Sequence, residues 1–210
     1  DGGGGSAEAR VTNRADARTG GTIDSGGGAR TTSTNAFGDI GALTAGVIQV
    51  DPADATRYSI QVAKQLEPAE PTDFLLVELY SKFGVFQNGV VTGTFNLTGE
   101  EANYVDCGAC VRLLTDATQS DYGDDYMANG GTLNITAAAD AVGETLTFTL
   151  SNVTFRHVDF TVMNNQVTAQ ADNASGCTTT ISNATFTGAL AAAQLRSDVP
   201  TSVVMRRDRF

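Results

Sequence analysis

Short runs rich in Thr, Val, Ile and Phe, most of them alternating apolar with polar residues, constrain this chain more than any other feature of its sequence. The segments 41–50, 57–65, 73–86, 89–98, 109–115, 131–137, 144–162, 165–171 and 177–190 all favour extended backbone. In one of them Leu146, Phe148 and Leu150 alternate with Thr145, Thr147 and Thr149, so the apolar three fall on one face and the hydroxyls on the other. That is the pattern of a half-buried strand. Asn88-Gly89, between Phe83–Phe86 and Val90-Val91, carries the strongest short hairpin signal, because a type I′ turn needs two residues tolerant of positive φ. Helix is scarce. Only the Ala-rich stretch 189–195 is expected to form one, as a short cap, and Pro68 and Pro71 mark a loop. Many short strands without the helical crossovers of a parallel sheet predict an all-β chain, an antiparallel β-sandwich or jelly-roll-like domain.

Residues 1–36 read differently. They hold two Gly clusters and, as large apolar side chains, only Val11 and Ile23, too little to offset about 1–2 kcal/mol of backbone ordering per residue. The expected organisation is therefore an extended Gly-rich N-terminal arm over 1–36 and a β-sandwich domain over 37–210 that ends in a basic tail. The chain opens at Asp1 without an initiator Met, which suggests a mature chain after removal of a signal sequence. Two pairs of segments echo each other, GTFNLT (93–98) with GTLNIT (131–136) and SNVTF (151–155) with SNATF (182–186). Their spacings disagree, so they read as similar strands within one domain rather than as solenoid repeats.

The net charge of -11 argues against nucleic acid as a partner, since phosphate binding needs a basic face. No apolar run is long enough to span a bilayer as a helix. The charge is uneven. Glu100, Glu101, Asp106, Asp116, Asp121, Asp124 and Asp125 face one base, Arg112, whereas Arg10, Arg14 and Arg18 lie in the arm and Arg206, Arg207 and Arg209 in the tail. The acidic loop supplies oxygen ligands and a central Gly, as a hard cation requires, so Asp121, Asp124 and Asp125 are the candidate calcium ligands, although the spacing is not that of an EF-hand. A plain solvated loop is the competing reading, and no other cofactor is indicated.

Cys107, Cys110 and Cys177 are the disulfide candidates. A bridge from either member of the CxxC to Cys177 closes about 70 residues and is worth on the order of 4 kcal/mol in the chain-entropy model. The Cys107 to Cys110 bridge constrains little but is favoured by proximity, so the pairing stays open, as does a partner for the odd cysteine in another chain. With no helix expected after the CxxC to lower a thiolate pKa, redox catalysis is not expected. Asn96, Asn134, Asn152, Asn173 and Asn183 begin Asn-x-Ser/Thr sequences, which the abundance of Asn and Thr explains without glycosylation. His157, the sole His, is expected on a strand surface. No GxSxG nucleophile elbow occurs, and a hydrolase would need either two convergent acids or His157 beside a Ser.

The segments 131–158, 106–116 and 175–190 together resemble exported lipoproteins of myxobacterial type, in which a lipidated Cys is followed by a Gly-rich spacer and a β-rich domain. The resemblance implies a surface location and a possible lipid anchor; DGGGGS matches the spacer, while the anchoring Cys is absent from this sequence. It supplies no catalytic residues. The expectation is a non-enzymatic extracellular or outer-surface structural protein, a homo-oligomer or filament subunit in which Ala9–Ala17 or Ser202–Phe210 adds as a strand to a neighbouring copy. The alternative is a surface binding module for a carbohydrate or protein partner, with or without calcium.

Overall fold

A computed structural model describes residues 34–43, 45–66, 72–117, 123–163 and 166–193. The basic tail, Asp121, the Pro68–Pro71 loop and all but the end of the expected arm lie outside the described residues.

The chain is all-β. Its strands are β1 (Thr34–Ala42), β2 (Ala45–Val50), β3 (Tyr58–Gln65), β4 (Thr72–Tyr80), β5 (Gly93–Asn96), β6 (Ala109–Ala117), β7 (Asp125–Ala137), β8 (Thr145–Met163), β9 (Gln166–Asp172), β10 (Thr178–Ala189) and β11 (Ala191–Ala192). Two short 3-10 turns, Gly84–Phe86 and Gly99–Ala102, are the helical elements among the described residues. One sheet runs β1-β10-β8-β7-β6-β4-β3-β2-β11, with β5 added to β7 and β9 to β8. Because β11 follows β10 after Leu190 alone, its pairing with β2 brings the sheet back on itself as a curl. The seam of that curl is parallel, β1 on β10 and β2 on β11, whereas every other ladder is antiparallel.

Alternation decides which residues fill the curl. Leu75, Val77 and Leu79 of β4 join Ile60, Val111, Leu133, Phe148, Phe155 and Phe186 in the main core. Their neighbours Phe74, Leu76 and Tyr80 point the other way, into two smaller clusters. β4 is therefore buried along its whole length, which explains why its sequence is a nearly continuous apolar run rather than an alternating one. The echoing segments are paired with each other: Gly93–Asn96 lies against Ile135–Thr132, and Ser151 faces Asn183 on adjacent antiparallel strands.

Two local expectations are corrected. Ala189–Ala192 is extended, not helical, because Ala191 and Ala192 pair with Val47 and Ile48, and the Ala193 N–H continues this pattern onto the Ile48 carbonyl at 2.8 Å. Closing the seam satisfies more backbone than a single isolated helical turn; residues 194–195 lie outside the described residues. Asn88-Gly89 makes a turn, with Gly89 at φ 103°, but not a hairpin. The segment before it forms a 3-10 turn that sinks Phe86 into the core against Phe95, ring centroids 4.9 Å apart.

The end of the expected arm is strand: β1 begins at Thr34. It is irregular, with register shifts between Ala36 and Gly38, Gly38 and Asp39, and Asp39 and Gly41. Lys64 of β3 donates to the carbonyls of Ile40 (2.5 Å) and Ala42 (3.0 Å), occupying acceptors on a strand that pairs with β10 alone. Asp39 accepts from the Asn183 side chain and the Gly41 N–H, and these bonds, with Lys64 nearby, hold its carboxyl below the usual range. Folding thus favours the ionised form. The contribution is present above the ordinary carboxylate range and is lost as pH falls through the lowered value. Hydrogen exchange by mass spectrometry, corrected for intrinsic rate, should show β1 losing protection as pH falls below about 4, and Asp39→Asn should remove most of that loss. Equal pH dependence in the variant would refute the assignment.

Candidate functional site

Where β7, β8 and the turn before β10 meet, polar side chains gather around His157. Tyr126 of β7 is in register with His157 of β8, and the two rings stack with centroids 5.0 Å apart and planes 20° off parallel. Asp124 lies two residues before Tyr126 and so shares its face; its Oδ1 is 3.4 Å from His157 Nε2. On the other side of the ring, Ser175 Oγ is 2.9 Å from His157 Nδ1. The expectation of a surface histidine is corrected: His157 is buried, as is Asp124, because the β8 residues on this face point into the curl with Phe155. Ser175 is half-buried.

The turn that presents Ser175 is tightly held. His157 holds both ends of this turn by backbone bonds, its N–H donating to Cys177 O and its carbonyl accepting from Asn173 N–H, each at 3.0 Å. Asn173 Oδ1 accepts the Ser175 N–H at 2.9 Å in an Asx turn, and the Asn173 amide donates to Asp159. Cys177 N–H donates to Ser175 Oγ at 3.4 Å. Deeper in the cluster, burial pushes the Tyr126 hydroxyl well above the ordinary phenol range, and Cys177, Asp124 and Asp73 add to the shift. Neither carboxylate oxygen of Asp124 makes a hydrogen bond; its ion-pair contact is His157 Nε2, 3.4 Å from Oδ1.

The candidate calcium ligands part company here. Asp125 points to the opposite face from Asp124, where Arg112 takes it: Nε at 3.1 Å, and a second, shorter contact from Nη2. Asp124 turns to His157, and Asp121 lies outside the described residues. Among the described residues no group of three or more His, Cys, Asp or Glu side chains is arranged to hold a metal ion. Nor is the acidic stretch simply solvated. Glu101, Asp124 and Asp125 are all buried.

Arg112 anchors a second polar group on the outer face. Its Nη1 is 3.4 Å from Glu78 Oε2, and its guanidinium sits over the rings of Tyr104 (4.4 Å) and Phe160 (5.3 Å). The hydroxyls of Tyr80 and Tyr104 approach Glu78 Oε1 at 3.4 Å. Beside this group Cys107 and Cys110 form the disulfide, and Cys177 is a buried free thiol. Proximity therefore prevails over the longer loop, since Cys177 belongs to the main core and the CxxC to the outer cluster. The sheet stands between them.

Sequence reasoning missed Ser175, Tyr126, Glu78 and Glu101 as site residues. The Asn-Ala-Ser-Gly turn signal at 173–176 and the alternation of Asp124 with Tyr126 were the available clues. No protein-family model, curated protein or solved structure matches this chain.

Proposed function

We propose that this chain is an exported β-domain that assembles with further copies of itself by exchanging its N-terminal strand. The observation that carries this reading is the parallel seam. β1, the first described segment after the Gly-rich arm, occupies the edge of β10 through a ladder broken by three register shifts, with its side chains from Ala36 onward exposed or half-buried. Residues 43 and 44 alone separate it from β2. A short connection next to an edge strand whose ladder is broken is the arrangement from which strand swapping proceeds at low cost, and a strand supplied by a neighbour would restore the same backbone bonds. The Cys107–Cys110 disulfide supports export, because such bridges persist in oxidising compartments and are rare in cytosol. The surface-lipoprotein resemblance points to the same location.

Size-exclusion chromatography with light scattering, and electron microscopy over a concentration series, should show species heavier than the monomer. Ala36 and Thr180 are register partners across the seam, so the Ala36→Cys, Thr180→Cys double variant locks β1 onto its own β10. The locked protein, with the intramolecular bridge confirmed by peptide mass mapping, should stay monomeric until reduced. Assembly by the locked protein, or a wild-type monomer at every concentration, sinks the reading.

A further inference from the structure

We propose that Ser175 is an acyl-accepting nucleophile, with His157 as its general base and Asp124 as the carboxylate behind the base, acting on short neutral esters. This goes beyond the assembly reading and does not depend on it. Three residues from separate segments stand in line, Ser175 Oγ 2.9 Å from one ring nitrogen of His157 and Asp124 Oδ1 3.4 Å from the other. Such constellations are recognised by geometry and role, not by position in sequence. Here Ser175 meets Nδ1 and Asp124 meets Nε2; either ring nitrogen can serve as base in the tautomer that leaves it unprotonated.

In the tautomer that carries its proton on Nε2, facing Asp124, His157 Nδ1 accepts from the Ser175 hydroxyl, while Cys177 N–H donates to Ser175 Oγ. Stacking on Tyr126 fixes the rotation of the ring. The Asx turn and the Asn173 to Asp159 bonds fix Ser175. Positioning of this kind is the main contribution a rigid site makes. Asp124 is buried with no hydrogen bond on either oxygen, an arrangement that costs free energy until a positive charge appears beside it. An imidazolium formed at His157 during attack supplies that charge. Ser175 is the least buried of the three, so the nucleophile is the group open to substrate. Asp159, on the same face of β8 as His157, bonds Asn173 at the turn that carries Ser175, so the local field disfavours anionic substrates.

The step balances. Ser175 Oγ forms a bond to the ester carbonyl carbon as its proton passes to His157 Nδ1 and the carbonyl π pair moves onto oxygen. Collapse re-forms the carbonyl and breaks the bond to the alcohol, which leaves with the proton from Nδ1. Water attacks acyl-Ser175 by the same route, releasing the acid and restoring Ser175 and His157.

The full chain treated with a reporter-tagged fluorophosphonate should be modified at Ser175, as located by peptide mass mapping, and should hydrolyse p-nitrophenyl acetate. Ser175→Ala should abolish both. His157→Gln should slow labelling by about 10²–10⁴-fold, the usual worth of a general base. Should that variant fail to fold, Asp124→Asn keeps the shape and should slow labelling and alter its pH profile, with circular dichroism confirming the fold. No modification of the wild-type chain at Ser175, or labelling at wild-type rate in a folded His157 or Asp124 variant, overturns the proposal. So does a Ser175→Ala variant that loses only thermal stability while the wild-type chain stays unlabelled.

Discussion

Replacing Arg112 with Met should destabilise the domain by about 3–5 kcal/mol, the range found when one partner of a buried ion pair is removed. Arg112, Glu78 and Asp125 are each 5% exposed or less, and Arg112 is the cation that both carboxylates contact. Its loss leaves two buried negative charges without compensation. The guanidinium also lies over Tyr104 and Phe160, which adds roughly 1 kcal/mol or more when such a contact is desolvated. For a chain of this length each kcal/mol moves the midpoint by about 2–4 °C, so thermal unfolding should shift down by on the order of 10 °C. The companion variant separates charge from packing. Arg112→Met combined with Glu78→Gln and Asp125→Asn removes every charge in the group, and it should recover most of the loss, because neutral replacement of a whole buried network is far less costly than breaking it. A single Arg112 variant within about 1 kcal/mol of wild type would show that this group does not hold the outer face.

That network shows why the site was only partly legible. Arg112 stands out in the sequence as the one base within an acidic stretch, but its partner Glu78 is 34 residues away and sits inside an apolar run, DFLLVELY, that reads as plain core. Alternation correctly gives strand, yet cannot say that both faces of β4 are covered. The same limit hid the cluster around His157. Tyr126 and Asp124 share a face by spacing alone, but the register that sets Tyr126 against His157 depends on shifts in the β7–β8 ladder at Ala128, Gly130 and Thr132, which no local pattern encodes. Ser175 lies in a turn whose Asn and Gly announce a bend but not what the bend covers.

The fold was more legible than the site because strand formation is local and pairing is not. Segments 144–162 and 177–190 became β8 and β10 with small changes at their ends, and the two echoing pairs turned out to be ladder neighbours, as similar strands with similar faces can be. The parallel seam had no signature, since it joins the two ends of the described chain, Thr34 with Thr178 and Val47 with Ala191. Ala-rich 189–192 was the misleading piece. Its helix propensity is real, but a few tenths of a kcal/mol per residue does not compete with closing a sheet.

The second large effect is expected where the CxxC loop meets the turn at 83–86. Glu101, 2% exposed, spans this junction: Oε1 accepts the Val85 N–H at 2.8 Å and Oε2 accepts the Ala109 N–H. Glu101→Ala leaves the buried Ala109 N–H unpaired, at about 1–3 kcal/mol, and frees the part-buried Val85 N–H as well, so it should cost roughly 2–4 kcal/mol in urea denaturation. Burial, opposed by these N–H bonds, holds the Glu101 carboxyl above its ordinary range. The folded chain thus binds the proton more tightly than the unfolded one. The side chain's contribution is full below the ordinary glutamate range and declines as pH rises through the raised value, so the gap between wild type and Glu101→Ala should narrow over that interval. Gly108 tests the same junction from the other side. A Cβ there would lie 2.3 Å from the Phe83 carbonyl oxygen, and one on Gly84 would lie 2.0 Å from Glu101 Oε1 and 2.3 Å from Gly108 N. At Gly108 all three nearest atoms are backbone, with no flexible side chain to yield, and the Cys107–Cys110 bridge ties the residues on either side of it. Gly108→Ala should therefore cost about 3 kcal/mol, the upper end for overpacking, without altering the apolar surface that the core buries. If Gly108→Ala unfolds at the wild-type midpoint, the two loops cannot be in contact, and the burial of Glu101 between them loses its physical basis.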